Sequence, residues 1–181
     1  MSLIEKLSTD FRQRCEVITT EQRSLIQLKA FERLPANTLA AKLGATVLTP
    51  DQFPNLPAEQ VQRLLASDEW SGAIVCDRPL IIVYNPLHAD TRYESNVMHE
   101  IAHVLLNHKR VGFDPLTGLP KRQQINEDEA TYLGGCLQIP KRGLLWATQR
   151  KMLLSEIAVY FGASEAMVQF RSNVTNVPVR Y

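Results

Sequence analysis

No stretch of the chain approaches the roughly 20 consecutive apolar residues that a bilayer-crossing helix needs, so a membrane span is not expected. The first residues, Met1-Ser2-Leu3-Ile4-Glu5-Lys6, lack the basic-then-apolar layout of a secretory signal. Cysteine is scarce: Cys15, Cys76 and Cys136 are odd in number and far apart. That excludes a disulfide framework and a close-set metal–thiolate cluster. Each is expected to be a small buried hydrophobe in a reduced, cytoplasmic protein. Charge of one sign is lacking too. The formal net value is +1, which gives no bulk field for nucleic acid or anionic membranes. Internal repeats, low-complexity tracts and β-α alternation are all missing, and the last of these argues against a doubly wound sheet.

What is present suits an ordinary globular protein. Hydrophobic residues make up 45% of the 181 and charged residues 22%, enough for a sizeable core. A single domain over 1–181 is expected, in four parts: helices and a strand in 1–70, a hairpin in 71–86, two helices in 92–140, and helices in 141–181. In the first part, Leu25, Leu28, Phe31 and Glu32 show a helical pattern ending at Pro35. A short helix from Thr38 to Leu43 stops at Gly44, a strand spans Ala45–Leu48, and Leu56–Ala66 is helical. Ala73–Cys76 and Leu80–Tyr84 flank Asp77-Arg78-Pro79 as a hairpin. Tyr93–His108 and Glu127–Leu137 are helices separated by a loop containing Gly112 and Pro115–Pro120. Further helices cover Gly143–Thr148, Leu153–Phe161 and Glu165–Arg171, the last with Ser164 as N-cap. Asn173–Tyr181 has no clear period. Strands early and helices late make the class α+β.

The chemistry lies in His99-Glu100-Ile101-Ala102-His103. Four residues at 3.6 per turn put both imidazoles on one helix face, one turn apart. Two imidazoles so placed can share one tetrahedral zinc. Glu100 sits roughly 100° around the helix, placed to act as general base on a water rather than as a ligand. A catalytic site of this kind needs a third protein ligand and an open position. Glu127, Asp128 and Glu129 are the acidic candidates downstream. Glu127 is chosen because it shares a face with small Ala130, which lets a second helix approach the first. Glu129 is expected to point away into solvent. His108, nine residues beyond His99, is expected to interact with the last helical carbonyls rather than with a metal. His88 falls in the loop before the helix.

The run Ile81-Ile82-Val83-Tyr84-Asn85-Pro86, then Arg92 to His108 around the motif, resembles the ImmA/IrrE family of bacterial metallopeptidases. So do Asn126-Glu127-Asp128-Glu129-Ala130 through Ile139-Pro140, and Ile157 through Val168 followed by Arg171. The likeness covers about residues 36–175. It implies a compact, mostly helical α+β peptidase with a small β-sheet beside the motif helix, and Glu127 as third metal ligand. It also implies a protein substrate, often a helix-turn-helix repressor or antitoxin-like partner encoded nearby. Two departures stand out: Thr131 where Asn or Asp is common, and Gly134-Gly135 where alanine is usual. Each glycine costs a helix about 1 kcal/mol.

Zinc is the default ion for two imidazoles and a carboxylate, with manganese or iron able to use the same donors. Tyr84, His88, Arg92 and Tyr93 are candidates to touch substrate or a developing oxyanion. Strand Leu80–Tyr84 is a candidate to align an extended substrate by strand addition. Two rival readings remain. One is a catalytically silent binding protein on the same fold. The other is a DNA-binding regulator, suggested by the helix-turn-helix texture of Leu153–Arg171, though its second helix offers only Arg171 as a cation.

Overall fold

A computed structural model describes residues 7–54 and 56–181. The reading of Met1–Lys6 lies outside those residues. Helix α1 (Thr9–Leu25) is capped by Ser8, whose hydroxyl accepts from the Phe11 amide at 3.1 Å. Helix α2 (Ala36–Lys42) ends at Gly44, where φ is +71°. Strand β1 (Thr46–Leu48), a 3₁₀ turn (Pro50–Gln52) and α3 (Ala58–Leu65) lead to β2 (Gly72–Asp77) and β3 (Leu80–Tyr84). Helix α4 (Asp90–Leu105) carries the histidine pair. A short hairpin, β4 (Gly112–Phe113) and β5 (Pro120–Lys121), comes before α5 (Gln124–Gln138). Helices α6 (Lys141–Gln149), α7 (Leu154–Phe161) and α8 (Glu165–Thr175) follow. The class is α+β, as the order of elements predicts.

The sheet is mixed, in the order β1-β3-β2. β1 pairs parallel with β3, and β2 pairs antiparallel with it, with a bulge between Ile74 and Cys76. β3 therefore has both edges filled. The expectation that it aligns substrate by strand addition is not met, because the outer strands of the sheet are β1 and β2. Helix α4 lies on this sheet and packs against α2 and α5. Its buried residues Val97, Met98, Ile101 and Ala102 form the main core with Leu39, Ile82, Leu133 and Leu137. Burial of each large aliphatic side chain contributes about 1.5–3 kcal/mol. The loop joining β4 to β5 is organised by Asp114, which accepts from the Leu116 and Thr117 amides and pairs with Lys121. No described helix is long and apolar enough to cross a membrane.

The first fifty residues depart most from expectation. The expected helix through Leu25–Glu32 is a loop, and the helix comes earlier, as α1. The chain leaves α1 at Ile26 and turns through Gln27, whose φ is +61°. The carbonyls that a helix there would use are held by a side chain instead. Arg23, 2% exposed, donates Nη1 to Lys29 O and Glu32 O and Nη2 to Leu137 O. Burial brings its guanidinium down to about 10. Cys15 and Cys136 are buried free thiols, and desolvation pushes Cys15 up to about 12. The expected irregular tail is helical as far as Thr175, and Val177 beyond it is buried. Arg171 is fully buried, where it pairs with Glu16 of α1 and donates Nε to Ile139 O at 2.8 Å. The one cation of α8 thus faces the interior and is not on the surface of the helix pair whose texture suggested a DNA-binding regulator.

Candidate metal centre

Helix α4 opens with Asp90 in its first turn, a carboxylate at the positive end of the helix dipole. Its buried stripe presses the helix onto the core and fixes the rotation that turns His99 and His103 toward α5. Helix α5 carries Glu127 in its own first turn. His99 Nε2 lies 3.0 Å from Glu127 Oε2, His103 Nε2 lies 3.3 Å from Glu127 Oε1, and the two Nε2 atoms are 3.1 Å apart. A tetrahedral ion with bonds of about 2.0–2.1 Å separates its ligand atoms by roughly 3.3–3.4 Å. The two imidazole nitrogens and the two oxygens of the Glu127 carboxylate already stand close to that spacing, and two imidazoles with a carboxylate suit a divalent first-row metal. The residues fit such an ion.

Burial and mutual contact shift two of these donors. Burial pushes His103 below the usual histidine range, against the pull of the Glu127 hydrogen bond and the Glu100 charge. Burial opposes ionisation of Glu127, but the close contacts with His103 and His99 outweigh it and hold the carboxyl well below the usual range. Glu100 also brings a carboxylate oxygen within 4.8 Å of the histidine donors. Its Oε2, however, accepts from the Ile74 amide of β2 at 3.1 Å and from Arg122 Nη1 at 3.4 Å. Tied to the sheet in this way, Glu100 sits beside the donor triangle.

Gly134 explains one of the two departures in α5. A methyl group there would lie 3.2 Å from His99 Cα and N, both backbone atoms. The missing side chain therefore lets α5 meet α4 at the histidine itself. Gly134→Ala would gain about 1 kcal/mol of helix propensity while forcing His99 aside by a few tenths of an ångström. The expected result is near-wild-type thermal stability with zinc affinity weakened roughly three- to tenfold, read by competition against a chromophoric chelator. Equal affinity would show that the helices can part without moving His99. Thr131, the other departure, places its hydroxyl 3.5 Å from His99 Nδ1.

A cleft of about 340 Å³ opens over the centre, lined by Ser71, Gly72, Asn96, Thr131 and Met167 as well as His99, Glu100 and Glu127. Tyr84, His88, Arg92 and Tyr93 are not in its lining. Tyr84 and Tyr93 pack edge to face, and the Tyr93 hydroxyl donates to Asn37 of α2 at 2.5 Å. Arg92 is exposed on the first turn of α4. His88 donates Nε2–H to Asp68 O and accepts from the Asn96 amide, one residue away from the cleft. Asn85 is buried and ties the end of β3 to the Ser67 and Trp70 carbonyls.

Three residues near the centre were not anticipated. Arg122 is buried against Glu100, and a lone arginine in a loop carries no spacing signal. Glu129, expected in solvent, accepts from His108 Nε2 at 2.8 Å. His108, expected near the last helical carbonyls, does donate its backbone amide to His103 O, but its ring lies on His103. Asn107 was the available clue, because asparagine favours the left-handed position that ends a helix and reverses the chain.

Two imidazoles and a carboxylate from facing helices, with a buried glutamate beside them, are a set of donors able to hold a metal ion. The IrrE N-terminal-like domain model of the peptidase M78 family matches residues 40–173. The chain belongs to this family, and its function is of the metallopeptidase type. No curated protein matches the chain.

Proposed function

We propose that the protein is a metal-dependent endopeptidase, with His99, His103 and Glu127 as ligands of zinc and Glu100 as general base. The observation that carries this reading is the close set of His99 Nε2 and His103 Nε2, 3.1 Å apart, each within 3.3 Å of one oxygen of the Glu127 carboxylate, beside a second carboxylate anchored to the sheet. A divalent ion held there supplies Lewis-acid chemistry, polarising the scissile carbonyl and making water a nucleophile near neutral pH. Manganese suits the same donors. Glu100 takes a proton from the attacking water and delivers it to the leaving amine. Because Oε2 is occupied by Ile74 and Arg122, Oε1 is the atom that carries this proton. The substrate is a protein segment entering the cleft past Ser71 and Gly72. A regulatory protein such as a helix-turn-helix repressor or antitoxin-like partner fits the family resemblance.

The test begins with elemental analysis of the purified protein and of Glu127→Ala. About one metal per chain is expected in the wild type, and loss of it in the variant. Cleavage of a helix-turn-helix regulator encoded nearby should then be chelator-sensitive. A wild-type protein without stoichiometric metal, even after supplementation with zinc and manganese, would overturn the reading.

A further inference from the structure

Beyond the donor triangle, a second line of polar groups runs away from it. His103 Nδ1 lies 2.9 Å from His108 Nδ1, and His108 Nε2 lies 2.8 Å from Glu129 Oε2. The side chains of His103 and His108 are 0% and 7% exposed, and that of Glu129 is 27% exposed. Buried polar contacts of this kind need every member satisfied.

The helix end builds this arrangement. Asn107 adopts φ +56°, its amide donates to Val104 O, and the His108 amide donates back to His103 O, both at 3.0 Å. These are the paired bonds of a Schellman motif, with His103 and His108 at the two positions the longer bond connects. The reversal carries His108 out of the helical register and stacks its ring against His103 edge to face, centroids 5.1 Å apart. Glu129, two residues beyond Glu127 on α5, reaches the far nitrogen of the His108 ring.

The donor and acceptor capacities of these groups allow an order of protons along this line that leaves His103 able to bind a metal through Nε2. An ionised carboxylate only accepts, so His108 Nε2 carries the hydrogen that Glu129 receives. A neutral imidazole then has a bare Nδ1, which accepts from Nδ1–H of His103. That leaves the lone pair of His103 on Nε2, the nitrogen 3.3 Å from Glu127 and 3.1 Å from His99 Nε2. We infer that His108 and Glu129 are positioning residues that hold His103 in the orientation and Nδ1–H tautomer required to ligate the metal through Nε2. The inference rests on the proposed metal site. It adds that the site extends along a carboxylate–imidazole–imidazole chain, so one acidic residue of α5 serves as ligand and another supports the ligand opposite. Outer partners of this kind typically govern metal affinity by 10–100-fold.

The experiment measures zinc affinity by competition with a chromophoric chelator for the wild type, His108→Ala, His108→Gln and Glu129→Ala. It also records a long-range ¹H–¹⁵N imidazole spectrum of the metal-free wild type, before zinc itself sets the tautomer. His108→Ala is expected to bind zinc about 10–100-fold more weakly. His108→Gln, whose side-chain oxygen can accept from His103, should recover most of that loss. Glu129→Ala should weaken binding by a smaller factor. The spectrum should show His103 protonated at Nδ1. A folded His108→Ala with wild-type affinity overturns the inference and leaves the metallopeptidase reading intact, because the wild type still binds zinc. A wild type that binds no zinc overturns both. If His108→Ala fails to fold, the wild-type spectrum decides, since a His103 proton on Nε2 is incompatible with the chain of hydrogen bonds.

Discussion

Glu100→Gln should lower peptide hydrolysis by about 10²–10⁴-fold, the usual contribution of a positioned general base, with bound metal unchanged. The substitution separates chemistry from architecture. Glutamine has the shape of glutamate and keeps an oxygen for the Ile74 amide and Arg122, so the contacts to β2 and the β5–α5 loop survive. It cannot take a proton at neutral pH. The donors His99, His103 and Glu127 are untouched, so elemental analysis of the same preparation should match the wild type. Activity within about fivefold of wild type would remove Glu100 from the mechanism. Loss of metal along with activity would instead place Glu100 among the groups that shape the ion site.

Arg171→Met should destabilise the fold by about 3 kcal/mol, at the low end of the cost of breaking a buried ion pair. The low end applies because Glu16, left behind, has a side chain 26% exposed and can regain water. Its other oxygen still accepts from the Lys141 amide. The loss has several parts: the pair itself, the bond from Nε to Ile139 O, and the guanidinium over the Tyr132 ring at 5.5 Å. Met fills most of the volume, so a cavity contributes little. For a chain of this size the melting temperature should fall by roughly 6–12 °C. Arg171→Lys should lie between, because lysine keeps the charge without the planar fork. A melting temperature for Arg171→Met within about 2 °C of wild type would mean that the network does not hold α1, α5 and α8 together.

The sequence was most informative where a period survives in apolar residues. The stripe of Val97, Ile101, Val104 and Leu105 marks α4, and a spacing of four puts His99 and His103 on one face. The structure brings both to Glu127, which sequence reasoning chose through its shared face with Ala130. α1 was missed for the opposite reason. Its buried positions are Cys15, Thr19 and Arg23, so the inward stripe includes a hydroxyl and a guanidinium and shows no hydrophobic rhythm. The loop after α1 was misread because Leu25, Leu28 and Phe31 fall at helical spacing while the backbone groups between them bond to Arg23. Such a contact, like that of Arg122 with Glu100, depends on tertiary placement and leaves no local pattern. His108 lay within reach, but a helical wheel continued past Asn107 sends it to the wrong side.

The bond between the Ile74 amide and Glu100 has a consequence apart from hydrolysis. β2 is the outer strand on one side of the sheet, and outer strands are where copies of a protein adhere to one another. At Ile74 the amide is taken by Glu100, and the carbonyl accepts from Arg110 at 3.4 Å. A neighbouring chain seeking to extend the sheet there meets two occupied groups and a pair of charges. The carboxylate proposed for proton transfer thus also satisfies an outer-strand amide. Removing its acceptor oxygen, as in Glu100→Ala, would leave an unoccupied amide on an outer strand, and such a variant would be prone to aggregate even with its core intact.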